Sequence, residues 1–147
     1  MSDRAVYGSG RFQEEYEDTQ EEFAQDKRRE NSDMTNFAFV FPGQGSQSVG
    51  MLDAWGDHAA VGQTLEEASE ALDLDVAALI HGGPKEQLDL TTNTQPVMLT
   101  AGIACYRAWL AETGRAPSVV AGHSLGEYAA LVAAGALTLA DALPLVR

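Results

Sequence analysis

The chain has 147 residues, which bounds it at about one domain, and 45% of them are hydrophobic, enough to build a buried core. Its formal net charge of −13 sets it against nucleic acid, whose phosphates would repel it, and against an anionic membrane surface. No apolar run approaches the roughly 18 residues of a membrane span, no basic-then-apolar secretory pattern opens the sequence, and the single Cys105 cannot form an internal disulfide. A cytoplasmic protein is expected.

Residues 1–33 differ from the rest. They carry ten acids and five bases and few aliphatic side chains, too little apolar surface to offset the entropy of ordering. Phe12, Tyr16 and Phe23 would allow a frayed helix, but an acidic, disordered extension is the expectation. Met34 opens "MTNFAFVF", which reads as a translation start. Residues 34–147 are then the folded portion.

Phe37–Phe41 reads as a short buried strand. It runs into "PGQGSQ", a turn that invites a phosphate-loop reading. The dinucleotide pattern G-x-G-x-x-G fails because Ser48 stands at the third glycine. A Walker-type loop fails because no Lys occurs between Lys27 and Lys85. Two readings remain open from this stretch: a purely structural turn, or a backbone that aims the Gln44 carboxamide into a site, where its N–H could stabilise an oxyanion.

Over Ala59–Asp73, Val61, Leu65, Ala68 and Leu72 form one helical stripe. A second helix is predicted over Asp75–His81, stopped by Gly82 and Gly83, with Pro84 starting a further short turn. Thr94 reads as an N-cap with Pro96 in the first turn. The helix after it is apolar on nearly every side until Arg107, so it should be buried on most faces. Cys105 within it reads as a small core hydrophobe. Ser118–Ala121 is a second strand, followed by a helix from Gly126 to about Gly135. Thr138 and Asp141 cap a final helix, which Pro144 should kink. Strands alternating with long helical crossovers give an α/β class with a short parallel sheet and flanking helices.

The chemistry centres on "VVAGHSLGEYAAL". Gly122-His123-Ser124-Leu125-Gly126 is G-x-S-x-G with a strand before and a helix after, the context of a nucleophile elbow. The hydroxyl would sit where free backbone N–H groups and the helix dipole favour negative charge, and the Leu125 N–H is the natural oxyanion donor. The competing reading makes Ser124 and Glu127 a capping box. A serine nucleophile needs a base. His123 adjoins Ser124 and should point away from it; His58 and His81 read as surface residues. No histidine follows Leu125.

"FPGQGSQ" at 41–47, "TQP" at 94–96 and "GHSLGEYAAL" at 122–131 together resemble the bacterial malonyl-CoA:acyl carrier protein transacylases. The resemblance implies a hydrolase-like large subdomain, cut before a ferredoxin-like small one. It implies Ser124 as the acylated nucleophile, Gln44 and the Leu125 N–H as the oxyanion hole, and Gln95 and His123 lining the site. The implied reaction moves malonyl from malonyl-CoA to the pantetheine thiol of acyl carrier protein, in fatty-acid synthesis, with no metal or prosthetic group. The family's histidine base and carboxylate-binding arginine fall beyond Arg147. This chain alone is therefore expected to turn over little malonyl-CoA and to leave apolar sheet faces open. The alternatives are an acyltransferase domain of a polyketide synthase, an α/β-hydrolase esterase and, more weakly, a non-enzymatic binding module.

Overall fold

A computed structural model describes residues 36–147; the expectations for residues 1–33 and for a start at Met34 lie outside the described residues. Two strands pair in parallel, β1 (Ala38–Phe41) and β2 (Val119–Gly122), with Ala38 opposite Val119 and Phe41 opposite Gly122. Between them run a 3₁₀ turn (Asp53–Trp55) and four helices: α1 (Ala59–Leu72), α2 (Val76–Gly82), α3 (Lys85–Leu88) and α4 (Thr91–Thr113). After β2 come α5 (Leu125–Ala133) and α6 (Leu139–Val146).

The predicted stripe on α1 is buried in full, and Thr64 joins it. Arg107 ties α4 to this helix by donating to Glu67 Oε2 at 2.6 Å and Thr64 Oγ1 at 3.2 Å. Arg147 ties the end of α6 to it by donating to the Leu72 carbonyl at 2.8 Å. Helix α4 is buried along most of its length, from Thr94 to Ala108. Thr138 caps α6 as expected, accepting from the Asp141 N–H at 3.1 Å, and Pro144 lies inside that helix.

The start of α4 corrects the expected cap. The helix begins at Thr91, and Thr94 is a buried residue of its first turn whose hydroxyl donates to the Leu88 carbonyl at 2.5 Å. Pro96 therefore sits inside the helix. The Thr94 hydroxyl closes the junction with α3 and does not cap its own helix. His58 is likewise no free surface residue. It is half-buried and is the N-cap of α1, its Nδ1 accepting from the Ala60 N–H at 3.2 Å while Nε2 meets Glu112 at 3.0 Å.

Strand β1 alternates and is not buried on both faces. Phe39 and Phe41 point toward α4, where Phe39 meets Tyr106 edge-on at 5.3 Å and Phe41 meets it at 6.0 Å. On the other face Ala38, Val40, Val119 and Ala121 are exposed, Val40 at 69%. One apolar sheet face is open, as expected, although parallel sheets are usually covered on both faces.

Helix α5 reaches the sheet only because two side chains are missing. A Cβ on Gly122 would stand 1.9 Å from the Gly126 carbonyl oxygen, and one on Gly126 would stand 2.2 Å from the Phe41 carbonyl oxygen. Both obstacles are backbone, so neither can rotate away. Gly126→Ala is expected to lower stability by roughly 2–3 kcal/mol or to prevent folding, since overpacking against fixed atoms costs about that much. Gly62→Ala, in the interior of α1 with nothing within 4 Å of the new methyl, should raise it by roughly 0.5–1 kcal/mol. Thermal melts of the two variants should therefore move in opposite directions.

Candidate active site

The junction of β2 and α5 has the geometry of a nucleophile elbow. Ser124 stands between them with φ 54° and ψ −120°, a conformation that costs an L-residue of order 1–3 kcal/mol and persists only where its surroundings enforce it. The enforcement comes from the glycine contacts on either side, which lock α5 against both strand ends. The turn is closed by the Gly126 N–H donating to the His123 carbonyl and the Glu127 N–H donating to the Ser124 carbonyl, each at 3.0 Å.

The capping-box reading fails here. The Ser124 side chain makes no cap hydrogen bond, and the residue is exposed. Its hydroxyl is presented to solvent at the start of a nine-residue helix. Leu125 is the first residue of that helix, so its N–H is one of the donors that the helix cannot satisfy itself. The Leu125 side chain is buried and anchors the turn from below.

The loop after β1 lies beside this elbow. A methyl on Gly43 would stand 3.3 Å from the His123 carbonyl oxygen and 3.9 Å from Ser124 Cβ. Gln44, the next residue, is exposed. Parallel pairing of β1 with β2 brings the two glycine turns together, since both leave the same end of the sheet. His123 is exposed, with its Nδ1 3.9 Å from that same methyl. Gln95 is half-buried on α4, and among the described residues no hydrogen bond joins it to Ser124 or His123.

Two of the three histidines, His58 and His81, are engaged by partners other than Ser124. Both ring nitrogens of His58 are engaged at the start of α1. His81, exposed at the end of α2 as expected, pairs through Nδ1 with Asp53. His123 is the neighbour of Ser124 in the chain. Cys105 is half-buried; burial pushes its thiol pKa up, opposed by a hydrogen bond with Trp55, so a thiolate nucleophile is disfavoured. Among the described residues no group of three or more His, Cys, Asp or Glu is arranged to hold a metal, and no helix is long and apolar enough to cross a membrane. An open groove of about 670 Å³ along α1 and α2 is lined by Glu66, Glu70, Asp73 and Asp75 and contains none of the predicted site residues.

Sequence reasoning missed the groups that hold the Gln44 loop. The Gln47 Oε1 accepts from the Gly45 N–H at 2.8 Å, and its Nε2 donates to Asp89 Oδ1 at 3.1 Å. The other Asp89 oxygen takes the Lys85 ammonium. These donors, Lys85 first and Gln47 second, hold the Asp89 carboxyl below its ordinary range. Gln47 and Asp89 are 42 positions apart, so no local pattern signals the pair.

The chain matches the acyl transferase domain family over residues 38–147. It is 56% identical over 115 residues to the malonyl CoA-acyl carrier protein transacylase of Escherichia coli K12, covering 78% of this chain and 37% of that protein. Among solved structures it is similar to the acyl-carrier-protein S-malonyltransferase of Burkholderia pseudomallei 1710b, with a TM-score of 0.75 and 68% identity, covering 76% of this chain and 36% of that one. It is also similar to a malonyl-transacylase solved in complex with a type II PKS acyl-carrier protein, with a TM-score of 0.72 and 50% identity, covering 76% of this chain and 37% of that one. The chain thus spans about a third of the length of these relatives.

The elbow stores strain that glycine would release. Ser124→Gly should be more stable than Ser124→Ala by roughly 1 kcal/mol, the relief of an unfavourable φ exceeding the cost of a more flexible unfolded chain. Thermal melts of the two variants side by side measure it; an equal or lower midpoint for Ser124→Gly would mean the turn is unstrained.

Proposed function

This chain belongs to the acyl transferase family, and from that premise we propose that it carries the nucleophile of a malonyl transfer from malonyl-CoA to the pantetheine thiol of an acyl carrier protein. The observation that carries the reading is the exposed Ser124, held at φ 54° and uncommitted as a cap. The names of the similar proteins support the acyl donor and the carrier. Fatty-acid synthesis in the cytoplasm is the setting this reading implies, and polyketide assembly uses the same chemistry.

The Ser124 oxygen attacks the thioester carbonyl and gives its proton to a base. The carbonyl oxygen becomes an oxyanion facing the Leu125 N–H and the Gln44 carboxamide N–H. Collapse expels the CoA thiolate, which takes back a proton and leaves malonyl on Ser124 as an ester. The carrier thiol repeats the sequence in reverse and frees the serine. Charge appears and disappears at one oxygen in each half, so preorganised donors there lower both barriers. The exchange is redox-neutral and calls for no prosthetic group or metal. By the family resemblance, Gln95 and His123 line the acyl site.

Two measurements test this on the longest gene product that contains the chain. Incubation with malonyl-CoA should give a malonyl adduct that peptide mass spectrometry places on Ser124; rapid hydrolysis of simple esters with no adduct would favour the esterase alternative. Gln44→Ala should slow malonyl transfer by roughly 10²–10³-fold, as loss of one oxyanion donor does. A change below threefold would remove Gln44 from the mechanism.

A further inference from the structure

Helix α1 begins at a residue whose backbone is fixed on both sides. The His58 N–H donates to the Trp55 carbonyl at 3.2 Å, and the His58 carbonyl accepts from the Val61 and Gly62 N–H groups at 3.0 Å. The ring is held separately, with 18% of the side chain exposed. Trp55 of the 3₁₀ turn stands edge-on to it, the ring centroids 5.6 Å apart. Nδ1 meets the Ala60 N–H at 3.2 Å, and Nε2 meets Glu112 Oε1 at 3.0 Å. One imidazole therefore spans two helices, the first turn of α1 and the last turn of α4.

These partners fix where the ring hydrogen sits. A backbone N–H only donates, so Nδ1 must offer its lone pair. An ionised carboxylate only accepts, so Nε2 must carry the hydrogen. One protonation state satisfies both partners: the neutral ring with its hydrogen on Nε2. A second proton has to go on Nδ1, where it meets the Ala60 hydrogen head-on. The cap is then lost, and a positive charge is left at the N-terminal end of α1, where the helix dipole opposes it.

Two carboxylates pull the other way. Glu112 would gain charge assistance, but it is 66% exposed, and exposed pairs contribute little. Asp57, next to His58 in the chain, is exposed as well, and solvent screens it. Cys105 of α4 is hydrogen-bonded to Trp55; burial pushes its thiol pKa up, so it adds no charge where imidazoles titrate. The two losses outweigh the gain, so a second proton on the ring weakens the start of α1.

We propose that His58 is a proton-gated latch between the start of α1 and the end of α4. It is closed when the ring is neutral with its hydrogen on Nε2, and open at Ala60 when Nδ1 takes up a proton. The bonds to Ala60 and Glu112 exist together only for the neutral ring. Their stabilising effect is complete at the alkaline end and declines as pH falls. The inference is independent of the acyl-transfer reading.

NMR and thermal melts of the longest gene product that contains the chain test it. Measurements at about pH 8 and about pH 5 bracket the range in which imidazoles take up a proton. At the higher pH the His58 ring nitrogens should show the hydrogen on Nε2, with a scalar coupling across the Ala60 N–H···Nδ1 bond. At the lower pH that coupling should vanish. Asn is an equally good cap and does not titrate, so His58→Asn should remove the pH sensitivity of this turn. The melting midpoint of the unaltered protein should fall on acidification by roughly 2–8 °C more than that of the variant. If His58→Asn fails to fold, the NMR measurements decide alone. A hydrogen on Nδ1 at the higher pH, a coupling that persists at the lower pH, or equal falls in the two melting midpoints would overturn the proposal.

Discussion

The whole arrangement depends on backbone meeting backbone where Gly122 and Gly126 have no side chains. At 1.9 Å and 2.2 Å from carbonyl oxygens, the two absent Cβ positions leave no room for any other residue. Their absence lets the first turn of α5 sit against the ends of both strands. The chain must then reverse within one residue, and that residue is Ser124. Its unusual φ follows from the close approach and needs no separate cause. Strain at one position is the result of tight packing at its neighbours.

The same contact explains why the two glycine turns form one site. Gly126 abuts the last residue of β1 as well as β2, so α5 is wedged over both strand ends. The loop leaving β1 must pass beside the elbow, and Gly43 permits it to approach the backbone of His123 closely. The loop that bears Gln44 and the first turn of α5, which bears the Leu125 N–H, thereby lie at one end of the sheet. Parallel pairing matters here, because in an antiparallel pair the two turns would leave opposite ends.

Much of this was legible in the sequence because it is local. The stripe on α1 follows from period alone, and its four residues are all buried. The strand–G-x-S-x-G–helix order announces the elbow, and Thr138 with Asp141 announces the cap of α6. The misses share a physical origin: each depends on surroundings outside the periodic pattern of its own element. Thr94 looks like a cap, yet its hydroxyl serves the Leu88 carbonyl across the α3–α4 junction. His58 looks like a loop residue, yet a carboxylate 54 positions away holds its ring. Gln47 lies in the glycine turn, and its carboxamide donates to Asp89, 42 positions away. The burial of β1 was misjudged because an apolar run does not reveal that one face of a two-stranded sheet lacks a covering layer.

In the proposed transfer, negative charge on an acyl oxygen at Ser124 is met by the Leu125 N–H and the Gln44 carboxamide. A structure of the protein with Ser124 esterified by a small alkyl phosphonate, whose oxygen mimics the tetrahedral oxyanion, tests it most directly. That oxygen is expected at about 2.7–3.1 Å from both the Leu125 N and the Gln44 Nε2. An oxygen pointing to solvent, with neither donor in reach, would contradict it.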